Sequence, residues 1–369
     1  RIYWERFIDD RKTGFTADSV YATDAREGVY FRGSGDSLEI LGTSHHYETM
    51  ALSGFLSESI DFGSLNIRPG IRLELFEQER VDRLQGSIYQ DKTIFVLLPG
   101  IAFSASGAGM NIFGGIHRGF TPPSSGALKI LNFGEGLEDS GLDLDAEKSW
   151  NKELGVRGSM SLVEYEIAGF HIDIENLVAA GRGTAFKNLG KVVSQGVEAR
   201  TGITLSQISS LLPNVHIAYT FLSTEVKEGI IISNVSGSFG SEVSIEGKEL
   251  PYSPNHTVTA GLEFSPIPNL KLRTDFRFVS EAYTDFENIK DTDKIGVKGP
   301  IPEYSIFNIS GSYLINENFK AFFSGKNITD EVYIGSRLHS NPGQPEANIS
   351  SGIIPGPRRQ INFGLEYSF

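Results

Sequence analysis

GPRRQINFGLEYSF, running from Gly356 to Phe369, decides the fold. Beyond Gln360 the residues alternate: Ile361, Phe363, Leu365, Tyr367 and Phe369 fall on one side, Asn362, Gly364, Glu366 and Ser368 on the other. A repeat of two sends successive side chains to opposite faces of an extended strand. This strand therefore has one apolar, aromatic face and one small, polar face. The pattern recurs upstream. Leu270, Leu272, Phe276 and Phe278 oppose Lys271, Arg273, Asp275 and Arg277, and Phe170, Ile172 and Ile174 oppose His171, Asp173 and Glu175. Alternation alone specifies a sheet with one apolar face, which a soluble sandwich also has.

The connections add direction. Period-two segments predict about fourteen strands, near 1–10, 44–60, 63–79, 92–103, 108–119, 148–162, 166–176, 186–205, 213–225, 254–264, 269–283, 304–315, 318–328 and 358–369. Several exceed ten residues, long for a soluble sheet. Long connections (11–43, 80–91, 120–147, 177–185, 226–253, 284–303 and 329–357) alternate with short turns (61–62, 104–107, 163–165, 206–212, 265–268 and 316–317). Short turns on one rim and long loops on the other are expected of a transmembrane antiparallel up-and-down β-barrel, with turns toward the periplasm and loops outside. The long loops are rich in Gly, Ser, Pro and acidic residues, a composition of solvated segments that carry recognition.

Composition narrows the alternatives. With 369 residues, 39% hydrophobic, the chain can bury a large apolar surface, and no run reaches the roughly 18 apolar residues of a spanning helix. A formal net charge of −13 argues against nucleic acid as a partner. The absence of cysteine excludes disulfides, thiolate metal sites and a cysteine nucleophile. No basic and apolar leader precedes Arg1, so an exported protein of this kind is expected to begin upstream.

KNITDEVYIGSR (Lys326 to Arg337) followed by GPRRQINFGLEYSF resembles the closing signature of TonB-dependent outer-membrane receptors. LDAEKSWNKELGVRGSM (Leu144 to Met160), KNLGKVVSQGVEAR (Lys187 to Arg200) and PYSPNHTVTAGLEF (Pro251 to Phe264) resemble further family segments in the same order, and GIHRGFTPPS (Gly115 to Ser124) is most similar to ferric citrate and related siderophore receptors. The resemblance implies an all-β chain, residues 1–369 forming the C-terminal part, about 14 of 22 strands, of a receptor barrel. The N-terminal plug and first barrel strands are expected to precede it. It also implies import of an iron chelate, energised by a TonB–ExbB–ExbD complex acting on the plug, by a monomer set in bacterial outer-membrane lipid and lipopolysaccharide. No cofactor and no catalysis are expected. The rivals are a passive porin, import of cobalamin or an oligosaccharide, and a soluble all-β module.

The residue-level expectations follow. A chelate anion at the outer mouth needs donors that fork onto carboxylates, which favours arginine; His117, Arg118, Arg182, Arg337, His339, Arg32 and Arg80 are the candidates, each equally readable as loop solvation or as a partner for surplus carboxylates. Glu198, Arg200, Lys271, Arg273, Asp275 and Arg277 are expected to line a polar lumen. Tyr252, Tyr283, Tyr304, Tyr333 and Tyr367 are expected in interfacial girdles. By the family resemblance, Phe369 serves as an assembly signal. His45 and His46 form a pair without metal-ligand spacing, and the serine within GSGDS (Gly33 to Ser37) has no place in a nucleophile elbow. Glu138, Asp139, Asp143 and Asp145 supply oxygens suited to calcium, but the ordinary reading is a solvated acidic loop.

Overall fold

The computed structural model describes residues 1–11, 32–34, 37–39, 43–82, 87–123, 144–179, 187–233, 240–338 and 352–369. One antiparallel sheet dominates. Its strands are β1 (Ile2–Arg11), β2 (Thr43–Ser57), β3 (Leu65–Asp82), β4 (Ser87–Gly107), β5 (Met110–Thr121), β6 (Glu147–Met160), β7 (Val163–Glu175), β8 (Lys191–Ile203), β9 (Asn214–Glu228), β10 (His256–Phe264), β11 (Leu270–Val279), β12 (Tyr304–Leu314), β13 (Phe319–Lys326) and β14 (Gln360–Tyr367). Each pairs with its neighbour in sequence, and Ile60–Phe62 adds a short segment beside β3. Every expected strand is present. Among the described residues β1 and β14 are not paired with each other, so the sheet is open.

Residues facing each other across a ladder share a face. One row of partners runs Asn66, Ser104, Phe113, Gly155, Ala168, Glu198, Thr220, Thr257 and Val279. Asn66 is the second residue of β3 and Val279 the tenth of β11, both counted from the short-turn rim, so the row climbs eight residues in eight steps. With strand spacings of about 4.8 Å and a rise of about 3.3 Å, that stagger corresponds to a strand tilt of about 35°. It is the tilt of a membrane barrel.

The face opposite this row is the apolar one. It carries Leu52, Leu56, Ile71, Leu73, Leu75, Phe95, Leu97, Ile101, Ile112, Leu154, Ile167, Ile217, Phe363 and Leu365, all exposed, with Phe363 at 80%. Water would penalise such a surface, whereas lipid accepts it. On β3 the outward apolar run from Leu65 to Leu75 spans about 33 Å along the strand, or about 27 Å across a bilayer at this tilt. That matches a hydrocarbon core.

Two expectations change. The predicted loop 80–91 is mostly strand: β3 and β4 extend toward each other, leaving only residues 83–86 between them. Tyr304 and Tyr333 stack at 4.5 Å, with Tyr304 on the inward face, and Tyr252 donates from its hydroxyl to the Arg337 carbonyl at 3.2 Å, so these three belong to the mouth rather than to a lipid girdle. The periplasmic girdle does exist at the C-terminus, where Tyr367 packs on Phe319 at 4.7 Å and Phe369 on Tyr367 at 5.0 Å.

The mouth and the inner wall

Connections at the long-loop rim fold over the barrel end. Inward-facing Val192 and Val226 pack with Leu189, Ile231 and Ile245 in a core that continues into Ile174, Leu250 and Phe286. Paired segments Ile230–Ile232 with Glu242–Ser244 and Ile334–Arg337 with Ile353–Pro355 stiffen these loops. The mouth is thus bounded by packed structure.

Asn327 is the hub of its β13–β14 side. It is 3% exposed and holds a left-handed backbone (φ 47°), which asparagine tolerates better than most residues. Its Nδ2 donates to the carbonyls of Glu331 (2.9 Å) and Pro357 (3.0 Å), its Oδ1 accepts the Glu331 amide (2.9 Å), and its own amide donates to Asn308 Oδ1 (2.9 Å). Asp330 then accepts from the Arg358 guanidinium at 2.9 and 2.6 Å and from the Arg359 amide at 3.0 Å. The Arg358 bond, reinforced by the Arg359 amide, holds the Asp330 carboxyl well below the usual carboxylate range. Gly356 lies against the Tyr333 ring, leaving no room for a side chain. The segments Asn327–Asp330 and Gly356–Arg358 are therefore two halves of one staple.

The candidate ligand residues separate sharply. His117 pairs with Gly100 and Asn151 on the inward face and is exposed. Arg118 is the next residue along the strand, so it points outward, where it lies 5.4 Å over the Trp150 ring and 3.5 Å from Glu175. Arg337 is also turned from the opening. It is 2% exposed, and its guanidinium donates to the carbonyls of Gly296 (2.6 Å) and Pro300 (2.8 Å), tying two loops together. Arg182 and His339 lie outside the described residues, as do Glu138, Asp139 and Asp143, and the side chains of Arg32 and Arg80 are likewise not described. Among the described residues no cluster of three or more His, Asp or Glu side chains has the arrangement of a metal site.

Glu198, Arg200, Lys271, Arg273, Asp275 and Arg277 share the inward face. A concavity of about 960 Å³ there is lined by Arg157, Glu166, Arg200, Arg273, Asp275 and Arg277 among others. Arg200 donates to Glu166 at 3.0 Å, and Arg273 bridges Glu263 and Asp275 at 2.9 and 2.7 Å. Toward β3–β6 a second concavity, about 760 Å³, brings His117 together with Arg68, Arg72 and Glu153. The sequence did not single out Arg68 or Arg72; their alternation with Leu73 and Ile71 along β3 was the available signal.

An open, steeply tilted sheet with a lipid-facing apolar belt, a charged inner wall and all its long loops on one rim defines a transmembrane β-barrel wall. The model of the family described as "TonB dependent receptor-like, beta-barrel" matches residues 4–328, and the chain belongs to that family of bacterial outer-membrane receptors. Solved structures agree on the fold. The unliganded ferric citrate transporter FecA superposes with a TM-score of 0.67 at 21% identity, over 90% of this chain and 46% of that one. The siderophore receptor PiuA from Acinetobacter baumannii gives 0.67 at 15% identity, over 89% and 45%. The copper transporter OprC gives 0.60 at 12% identity, over 90% and 58%. The chain thus spans about half the length of the structures it resembles.

Proposed function

We propose that this chain is the outer wall and mouth of a receptor that imports a ferric chelate of the citrate or siderophore type across the outer membrane. The energy comes from a TonB–ExbB–ExbD complex acting through a plug, and the receptor binds and gates its cargo without altering it chemically. Family membership supports the transport class, and the likeness to a copper transporter shows that the shared barrel does not by itself select the cargo.

The observation that carries the anionic cargo is the inward placement of His117 beside Arg68 and Arg72. Arg68 donates to the neutral Asn66 at 2.9 Å, so its charge is uncompensated by that contact. Arg72 is ion-paired with Glu74, so the Arg68 guanidinium and the His117 imidazole are the groups this wall offers to a carboxylate-rich or catecholate chelate. Growth of a receptor-deletion strain on a panel of iron sources, complemented with the full-length gene, tests the reading. One ferric chelate is expected to be lost with the deletion and restored by the gene; unchanged uptake of every ferric chelate removes iron as the cargo. Transport of cobalamin or an oligosaccharide in the same assay would assign the wall to another ligand. Full-length His117→Ala together with Arg68→Ala is expected to weaken chelate binding on the order of tenfold or more, measured by titration of purified receptor.

A further inference from the structure

The outer surface changes character where the strands leave the apolar belt. On β5 the outward series Met110, Ile112, Gly114 and Ile116 is followed by Arg118. On β6 the outward residues above Leu154 are Lys152, Trp150 and Lys148, and on β7 those above Ile167 and Gly169 are His171, Asp173 and Glu175. Ladder pairing joins them into one patch: Arg118 faces Trp150, Trp150 faces Asp173, Lys152 faces His171, and Lys148 faces Glu175.

Within the patch, Lys152 donates to Asp173 at 2.8 Å, and Arg118 lies over Trp150 with Glu175 at 3.5 Å. Lys148 has no ion-pair partner among the described residues. Three cations thus meet two carboxylates, leaving positive charge at the level of the headgroups. Elsewhere on the circumference the same level is acidic, with outward Glu48, Glu77 and Glu79 on β2 and β3. Lys148 and Lys152 stand four residues apart on one strand, about 13 Å, with an aromatic ring between them. Two cations flanking an indole offer charge to two phosphates and a flat surface to a sugar.

We propose that Arg118, Lys148, Trp150 and Lys152 form an external binding site for the phosphorylated sugar headgroup of an outer-leaflet glycolipid. Its acyl chains would lie down the apolar belt over Ile116, Leu154 and Ile167. The site lies on the opposite face of the wall from the cargo path, so it neither requires nor excludes an iron chelate as cargo.

The test uses the full-length receptor, delipidated in detergent and titrated with bisphosphorylated lipid A, read by native mass spectrometry. Wild type is expected to retain the lipid and to bind its enzymatically dephosphorylated form on the order of tenfold more weakly, the loss of a charge-assisted contact. Lys148→Ala with Lys152→Ala is expected to show a similar loss, while Glu77→Gln with Glu79→Gln leaves binding unchanged. Equal binding of the dephosphorylated lipid, or unchanged binding by the double lysine variant, overturns the proposal. Heat-modifiable migration reports folding. If the double alanine variant fails that control, Lys148→Gln alone decides, with unchanged binding overturning the site.

Discussion

A single amide group, that of Asn327, satisfies backbone atoms of Glu331 in its own turn and of Pro357, thirty residues further along the chain. Replacing it by alanine leaves the carbonyls of Glu331 and Pro357 and the Glu331 amide without their partner, at roughly 1–3 kcal/mol for each group that stays buried. Asn327→Ala should therefore lower the unfolding midpoint of the receptor in urea, measured in lipid vesicles, with little change in the ligand it selects. Asp330 adds a pH signature. Its pKa is depressed in the folded state, so its stabilisation is fully present above the ordinary carboxylate value, about 3.9, and is lost as pH falls through the lower folded value. Asp330→Asn should thus unfold more easily than wild type at neutral pH and approach it in strong acid, which a midpoint-against-pH series would show. The run from Asn327 to Asp330 was legible as a family signature, but its staple was not, because the partners Pro357 and Arg358 follow a long connection. Arg337 and Arg118 show the complementary difficulty. Both are arginines near loops, yet one is spent on carbonyls and the other faces outward, and only neighbours distant in sequence decide that.

At the scale of the strand, period two was enough to find all fourteen, since a half-buried strand must alternate. Alternation does not say which face is which. On β7 the notable case is Phe170, Ile172 and Ile174, which face inward with Glu166, while His171 and Asp173 face out. Above the belt the outer face meets water and headgroups, while the inner face packs under folded loops, so polarity reverses along one strand. The belt itself admits a direct test. Ile71→Arg places a charge on the lipid side of β3 and should cost about 2–4 kcal/mol near the midplane. Lys271→Gln on the inner wall, where water is available, should cost far less. Urea unfolding of both variants in vesicles of defined thickness separates the two faces.

For the whole molecule, the two rims differ because one is made of turns and the other of packed loops. The climbing ladder row has a mechanical meaning. Moving one strand past its neighbour by a single residue would exchange every lipid-facing side chain for a lumen-facing one, and a two-residue slip would displace the rim by about 7 Å. The wall therefore behaves as a frame without sliding joints. Hydrogen exchange on the full-length receptor should show slow amides throughout β6 to β12 with or without chelate; loss of that protection on adding chelate would show that the frame itself moves. Because each strand from β2 to β13 is hydrogen-bonded to both neighbours, the connections above them can be exchanged while the frame keeps its register.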